Sequence, residues 1–205
     1  MSLELLIGPM FAGKSSAIQS IVRRHQALGW PVFVITHSSD TRYSDKPAIV
    51  NHDGVMLPAF ATSSLYDAID TADFRIAKLV VIEEAQFFNA LVPFVLHTVE
   101  KLGKHVVVVG LDGDVLRRPF GKILDLVPYC DKVTKLTAMC KVCGDGTPAL
   151  FSHATTDASV SSAELGVPCV GAADKYVALC RKHYIRAVEG HLLPTYDFKV
   201  DANGC

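Results

Sequence analysis

Residues 3–15 read Leu-Glu-Leu-Leu-Ile-Gly-Pro-Met-Phe-Ala-Gly-Lys-Ser, and this stretch decides the fold. An apolar strand, Leu3 to Ile7, runs straight into Gly8–Ser15, which fits the pattern G-x-x-x-x-G-K-[ST]. Behind it, Ser15 to Leu28 carries Ile18, Ile21, Val22 and Leu28 at helical spacing, with Gly29 as a stop. Strand, glycine-rich loop and helix in that order are the context the motif needs. The chemistry then assigns the parts. Gly8, Pro9, Met10, Phe11, Ala12 and Gly13 form a tight loop whose backbone N–H groups turn toward phosphate oxygens. The helix N-terminus adds partial positive charge. Lys14 is a point charge for the β- and γ-phosphates, and Ser15 offers a hydroxyl to Mg²⁺. The stretch therefore predicts binding of a nucleoside triphosphate such as ATP with Mg²⁺.

Working outward, apolar runs alternate with helix-period segments, which predicts an α/β protein with a mostly parallel sheet flanked by helices. Pro31 to Thr36 reads as the second strand, and 37–61 as a long loop with a short hairpin. Ser64 to Ala72 reads as a helix with a Ser64/Asp67 capping box. Leu79 to Ile82 is a buried strand, Phe87 to Leu102 a helix closed by Gly103, and His105 to Gly110 a further buried strand. Ile123 to Tyr129 is ambiguous; Lys132 to Ala138 alternates like an edge strand. After Cys140 the segments become short and rich in Gly and Ser. The expected division is a P-loop domain at 1–138, a small domain at 139–190 and a tail at 191–205.

Glu83 and Glu84 end the strand Leu79 to Ile82, at the sheet edge where ligands of open α/β folds gather. With a P-loop present, the strand-end acid Glu83 is expected to hold Mg²⁺ and its neighbour Glu84 to activate the attacking nucleophile. If that nucleophile is water the protein is an ATPase; if it is a bound alcohol, a kinase. The acids alone do not choose.

Six cysteines occur: Cys130, Cys140, Cys143, Cys169, Cys180 and Cys205. Cys140 and Cys143, then Cys180 and His183, form two pairs with two-residue gaps, a donor set suited to a closed structural Zn²⁺ site. The 36 residues between the pairs exceed the spacing of a compact zinc ribbon, so the ion would pin the base of a long loop.

Lys and Arg number 20 against 21 Asp and Glu, leaving a charge of −1, and half the residues are hydrophobic. That balance asks for no nucleic-acid partner. No apolar run approaches a membrane span and the N-terminus lacks a signal pattern, so a cytoplasmic protein without membrane contact is expected.

The stretches GPMFAGKS, EEAQFF, GLDGD followed by RRPFG, and GAADKY occur in one order from about Leu3 to Tyr184. Together they resemble the type II, zinc-containing thymidine kinases. The resemblance implies a P-loop (RecA-like) sheet with a zinc-ribbon-like lasso domain, and transfer of the ATP γ-phosphate to the 5′-hydroxyl of thymidine or deoxyuridine. It implies Glu84 as general base, with Asp40, Arg42, Glu83 and Gln86 joining Gly8–Ser15 around the ATP phosphates. Met10, Phe87, Leu111, Val115, Phe120 and Tyr176 would wall the nucleoside. The loop from Ser152 to Gly171 would fold over the base, with Val167, Pro168, Cys169, Val170 and Gly171 closest. It further implies a homotetramer inhibited by thymidine triphosphate (dTTP).

Three positions depart from the family pattern. Glu83 stands where Asp is usual, His183 where many eukaryotic members have Cys, and Val115 where an aromatic is frequent. An acid pair followed by Ala-Gln is also found in nucleic-acid motors. Those need two motor domains and a basic track, and this chain offers one P-loop domain and a charge of −1.

Overall fold

The computed structural model describes residues 1–39, 48–50, 56–155 and 175–188. The chain order runs β1 (Ser2–Ile7), α1 (Lys14–Ala27), β2 (Val32–His37), β3 (Ala48–Val50), β4 (Met56–Pro58), β5 (Phe60–Thr62), α2 (Tyr66–Ile69), α3 (Ala72–Ile76), β6 (Leu79–Ile82), α4 (Leu91–Leu96), β7 (His105–Gly110), β8 (Lys132–Lys135), β9 (Ala138–Met139), β10 (Pro148–Ala149), β11 (Phe151–Ala154), β12 (Tyr176–Leu179) and α5 (Arg181–Val188). Six strands form one sheet in the order β5-β2-β6-β7-β1-β8, and every pairing in it is parallel.

The strands are apolar on both faces because both faces are covered. Leu3, Leu5 and Ile7 of β1, Ile35 of β2, Val80 and Ile82 of β6, and Val106 and Val108 of β7 point into one layer, against Phe74, Leu91 and Phe94. The alternate residues Leu6, Val34, Val81, Val107 and Val109 point into the other, against Ile18 and Val22 of α1. Period-2 alternation thus feeds two cores at once, as parallel sheets require. Because all six strands run the same way, Gly8, Glu83 and Leu111 emerge on one edge.

Thr36 continues the α1-facing row, is 3% exposed, and its hydroxyl finds no hydrogen-bond partner. Burying an unpaired hydroxyl is costly. The isosteric change Thr36→Val is expected to stabilise the protein by about 1 kcal/mol, raising Tm by about 2–4 °C. A thermal melt checks this, and a lowered Tm would show that the hydroxyl is satisfied in solution.

Several boundaries differ from the sequence reading for local reasons. The predicted helix from Ser64 to Ala72 is two short helices, α2 and α3. The Thr62 hydroxyl, donating to Asp67 at 2.6 Å and accepting from Ser64 N–H at 3.0 Å, fixes the approach to α2, where a Ser64 cap was expected. Thr71 caps α3 by accepting from Phe74 N–H. The helix read from Phe87 begins only at Leu91, because Glu84 adopts a left-handed backbone (φ 51°) and Ala85–Phe87 closes a 3-10 turn. It continues past Leu96 as a wider turn of π type, His97–Lys101. Leu124–Tyr129 is a 3-10 segment, and β8 is the edge strand expected at Lys132. The expected hairpin exists as β3 paired antiparallel with β4, whereas β5 joins the main sheet beside β2 and was not foreseen.

Beyond β8, two antiparallel pairs, β9–β10 and β11–β12, pack with α5 around Ala149, Leu179 and Tyr184. Ala12 of the phosphate loop packs against this small core, so the lobe abuts the sheet edge that carries the loop. Among the described residues no helix is long and apolar enough to cross a membrane.

Candidate active site and metal centre

The loop Gly8–Gly13 bends where its sequence permits. A Cβ on Gly8 would meet the Leu136 carbonyl oxygen, and Gly13 enters α1 from a left-handed conformation (φ 77°). Lys14 folds back along the loop, its ammonium donating to the carbonyls of Pro9 at 2.8 Å and Gly8 at 3.2 Å. Such a lysine lies over the loop's mouth, where a phosphate chain would sit. The Ser15 hydroxyl donates to Glu83 Oε1 at 3.1 Å. Glu83 is 5% exposed, and its carboxylate meets Ser15 directly. The Ser15–Glu83 pair is the oxygen donor set expected for Mg²⁺.

Glu84 lies one residue beyond, half-exposed, with its carboxylate accepting from the Gln86 amide at 2.5 Å. His37, at the end of β2, packs its ring against Phe88 (centroids 4.9 Å) and Phe87 (5.6 Å). Burial holds the His37 pKa below the usual histidine range, and the Glu84 charge opposes that shift. Phe87 in turn meets Phe120 edge-on at 5.5 Å. The structure therefore gathers Phe87 and Phe120 with His37, which sequence reasoning passed over because nothing in its local pattern marks it.

The remaining nucleoside candidates split. Met10 N–H donates to the Ser152 hydroxyl at 2.9 Å, tying the phosphate loop to β11. Leu111 is buried just past β7, and its N–H donates to Gln86 Oε1 at 3.0 Å. Tyr176 is buried at the start of β12. Asp40, Arg42, Val167, Pro168, Cys169, Val170 and Gly171 lie outside the described residues.

Val115 belongs to a loop that Asp114 organises: one carboxylate oxygen accepts from the N–H groups of Leu116 and Arg118, the other from Arg118 Nε at 2.6 Å. The Tyr184 hydroxyl donates to the Val115 carbonyl at 2.6 Å. Arg117 covers the Tyr184 ring at 4.5 Å and the Phe151 ring at 5.5 Å. These contacts clamp the loop after β7 to the small lobe, and sequence reading had assigned neither arginine. Pro9, Asp112, Arg117, Phe151 and Ser152 line a cavity of about 190 Å³ where loop, sheet edge and lobe meet.

Tyr184 directly follows the metal candidate His183. The ligand atoms of Cys140, Cys143, Cys180 and His183 all lie within 4.8 Å of one another. His183 Nδ1 is 3.5, 3.3 and 3.3 Å from the sulfurs of Cys140, Cys143 and Cys180, and Cys143 and Cys180 are 3.8 Å apart. Tetrahedral zinc, with Zn–S about 2.3 Å and Zn–N about 2.0 Å, spaces its ligands about 3.8 Å (S to S) and about 3.5 Å (S to N). The donor set fits. Burial disfavours the Cys140 thiolate, but backbone N–H groups of Cys180 and Cys143 and the His183 side chain outweigh it, bringing the pKa down to about 6. N–H donation to sulfur of this kind readies a ligand for a cation.

A thymidine kinase family profile matches residues 1–184. Thymidine kinase a of Arabidopsis thaliana is 38% identical over 187 residues, 90% of this chain and 75% of that protein. The thymidine kinase of Yaba monkey tumor virus is 35% identical over 184 residues, covering 90% of this chain and 94% of its own. Human cytosolic thymidine kinase is 36% identical over 188 residues, 92% of this chain and 75% of its own. A profile match over nearly the whole described core, together with relatives in plants, viruses and mammals, settles the family: the chain belongs to the thymidine kinases.

Proposed function

We propose that this protein is an ATP:thymidine 5′-phosphotransferase, converting thymidine to dTMP for salvage and deoxyuridine to dUMP. The observation that carries the reading is the Ser15–Glu83 hydrogen bond at the sheet edge that bears the Gly8–Ser15 loop, with Glu84 the next residue along. In this reading the backbone N–H groups of Gly8–Gly13, the α1 N-terminus and Lys14 hold the ATP phosphates. Ser15 and Glu83 are the residues that would hold Mg²⁺, which when bound offsets phosphate charge. Glu84 removes the proton of the 5′-hydroxyl as its oxygen bonds to the γ-phosphorus; the bond to the β–γ bridging oxygen breaks and ADP leaves. Phe87 and Phe120 supply flat apolar faces for a base, with Met10, Leu111 and Val115 around them.

Cys140, Cys143, Cys180 and His183 would hold a structural Zn²⁺ that staples the small lobe. Support for a division near 138 is the lobe's own buried cluster, which takes in Ala138 and packs against Ala12 of the phosphate loop. Roles for Asp40, Arg42 and Val167–Gly171, a cytoplasmic homotetramer and feedback by dTTP rest on the family resemblance.

The test is ATP turnover with each of the four deoxynucleosides. Thymidine is expected to stimulate turnover strongly and the purine deoxynucleosides not at all. Turnover indifferent to nucleosides would make the protein an ATPase and overturn the reading.

A further inference from the structure

Gln86 is 4% exposed, yet both ends of its amide are engaged within the protein. Its Nε2 donates to Glu84 Oε2 at 2.5 Å, and its Oε1 accepts from the Leu111 N–H at 3.0 Å. The backbone is shaped around it. Glu84 enters the turn in a left-handed conformation, and the 3-10 turn Ala85–Phe87 then brings the side chains two residues apart face to face. Two glycines leave room: a Cβ on Gly110 would collide with the Gln86 amide oxygen, and one on Gly121 with the Gln86 carbonyl. A left-handed non-glycine residue and two enforced glycines are a costly arrangement around one buried amide.

We propose that Gln86 is a positioning residue, holding the Glu84 carboxylate in the orientation that accepts the nucleoside proton and registering it to the end of β7. This rests on the reading of Glu84 as general base. Gln86 therefore acts through Glu84, with its amide committed to protein partners and turned away from an ATP-binding role. Alignment is where such a contact matters, since a misplaced catalytic group costs rate more than binding. Because Oε1 is anchored on a main-chain N–H at the mouth of the strand, the amide cannot flip without losing that bond. A desolvated amide with both ends paired is a rigid strut.

The test uses Gln86→Glu in the full chain, compared with Gln86→Met. The carboxyl in Gln86→Glu keeps the size and the acceptor for Leu111 N–H but loses the donor facing Glu84. Its kcat at pH 8 is expected to fall about 10–100-fold, with KM for thymidine and ATP within about twofold of wild type. The deficit should narrow toward pH 6, where the two adjoining carboxyls share a proton and donation is restored. Gln86→Met, which loses both bonds, should show the kcat loss without recovery at low pH. The inference is overturned if Gln86→Glu turns over like wild type at every pH. It is equally overturned if its loss appears only as a raised KM for ATP, or if the rate falls in step with the folded fraction measured by thermal melting. A wild-type protein lacking nucleoside-stimulated turnover would instead refute the Glu84 reading beneath it, so the two failures are distinguishable.

Discussion

Changing Glu84 to Gln is expected to cut kcat by about 10²–10⁴-fold while thymidine still binds with close to wild-type affinity. The amide matches the carboxylate in size and can still meet Gln86, so the turn at Ala85–Phe87 has no reason to move. What disappears is the ability to take a proton from the attacking hydroxyl. In phosphoryl transfer the remaining machinery consists of positioning and charge, and both stay: the loop, Lys14, and the Ser15–Glu83 pair. Binding and rate should therefore separate. Steady-state kinetics together with calorimetric titration of thymidine check this. An unchanged kcat would remove Glu84 from the chemistry, and a lost affinity would make it a binding residue instead.

The second large effect concerns the four proposed zinc ligands, Cys140, Cys143, Cys180 and His183. Cys143→Ser, or prolonged treatment with a strong chelator, is expected to unfold the small lobe and abolish thymidine binding. Structural zinc in small domains contributes about 10–16 kcal/mol of apparent binding energy, which few short β-pairs could replace. Here β9–β10 and β11–β12 are pairs of two to four residues around a core that includes two of the ligands themselves. Loss of the lobe frees Ser152 from Met10, and Tyr184 from the Val115 carbonyl and Arg117. The nucleoside side of the site would then lose its clamps while the main sheet stays packed. Hydrogen exchange should show protection lost over 148–154 and 176–188 and kept in β1, β6 and β7. Persisting protection and affinity after chelation, or a metal analysis without zinc, would contradict the assignment.

These effects separate what was legible in the sequence from what was not. The phosphate loop, the acids Glu83 and Glu84, and the Cys/His pairs are local patterns whose spacing follows from their chemistry; the structure joins Ser15 to Glu83 and Gln86 to Glu84, and brings the four Cys/His ligand atoms within 4.8 Å of one another. The buried strands were equally plain, because residues apolar on both faces read as unbroken runs such as Val106–Val109. The three-residue β5 was invisible, since a strand of that length has no period and is defined only by pairing with β2. The helix expected at Phe87 was displaced by a turn that Glu84 itself initiates, a backbone choice that composition does not encode. The ring of His37 on Phe87 and Phe88, and the Arg117–Tyr184 clamp, join residues about 50 and 67 positions apart through the sheet edge, beyond any motif. Gln86 was visible as part of a motif, but its two partners emerged only with the fold.

The most direct measurement is the phosphorus NMR spectrum of the product formed from ATP and thymidine. A new phosphomonoester signal split by the two 5′ protons of the sugar, appearing in step with ADP, is the predicted result. Inorganic phosphate alone, or a signal coupled to the 3′ proton, would show that Glu84 does not face the 5′-hydroxyl.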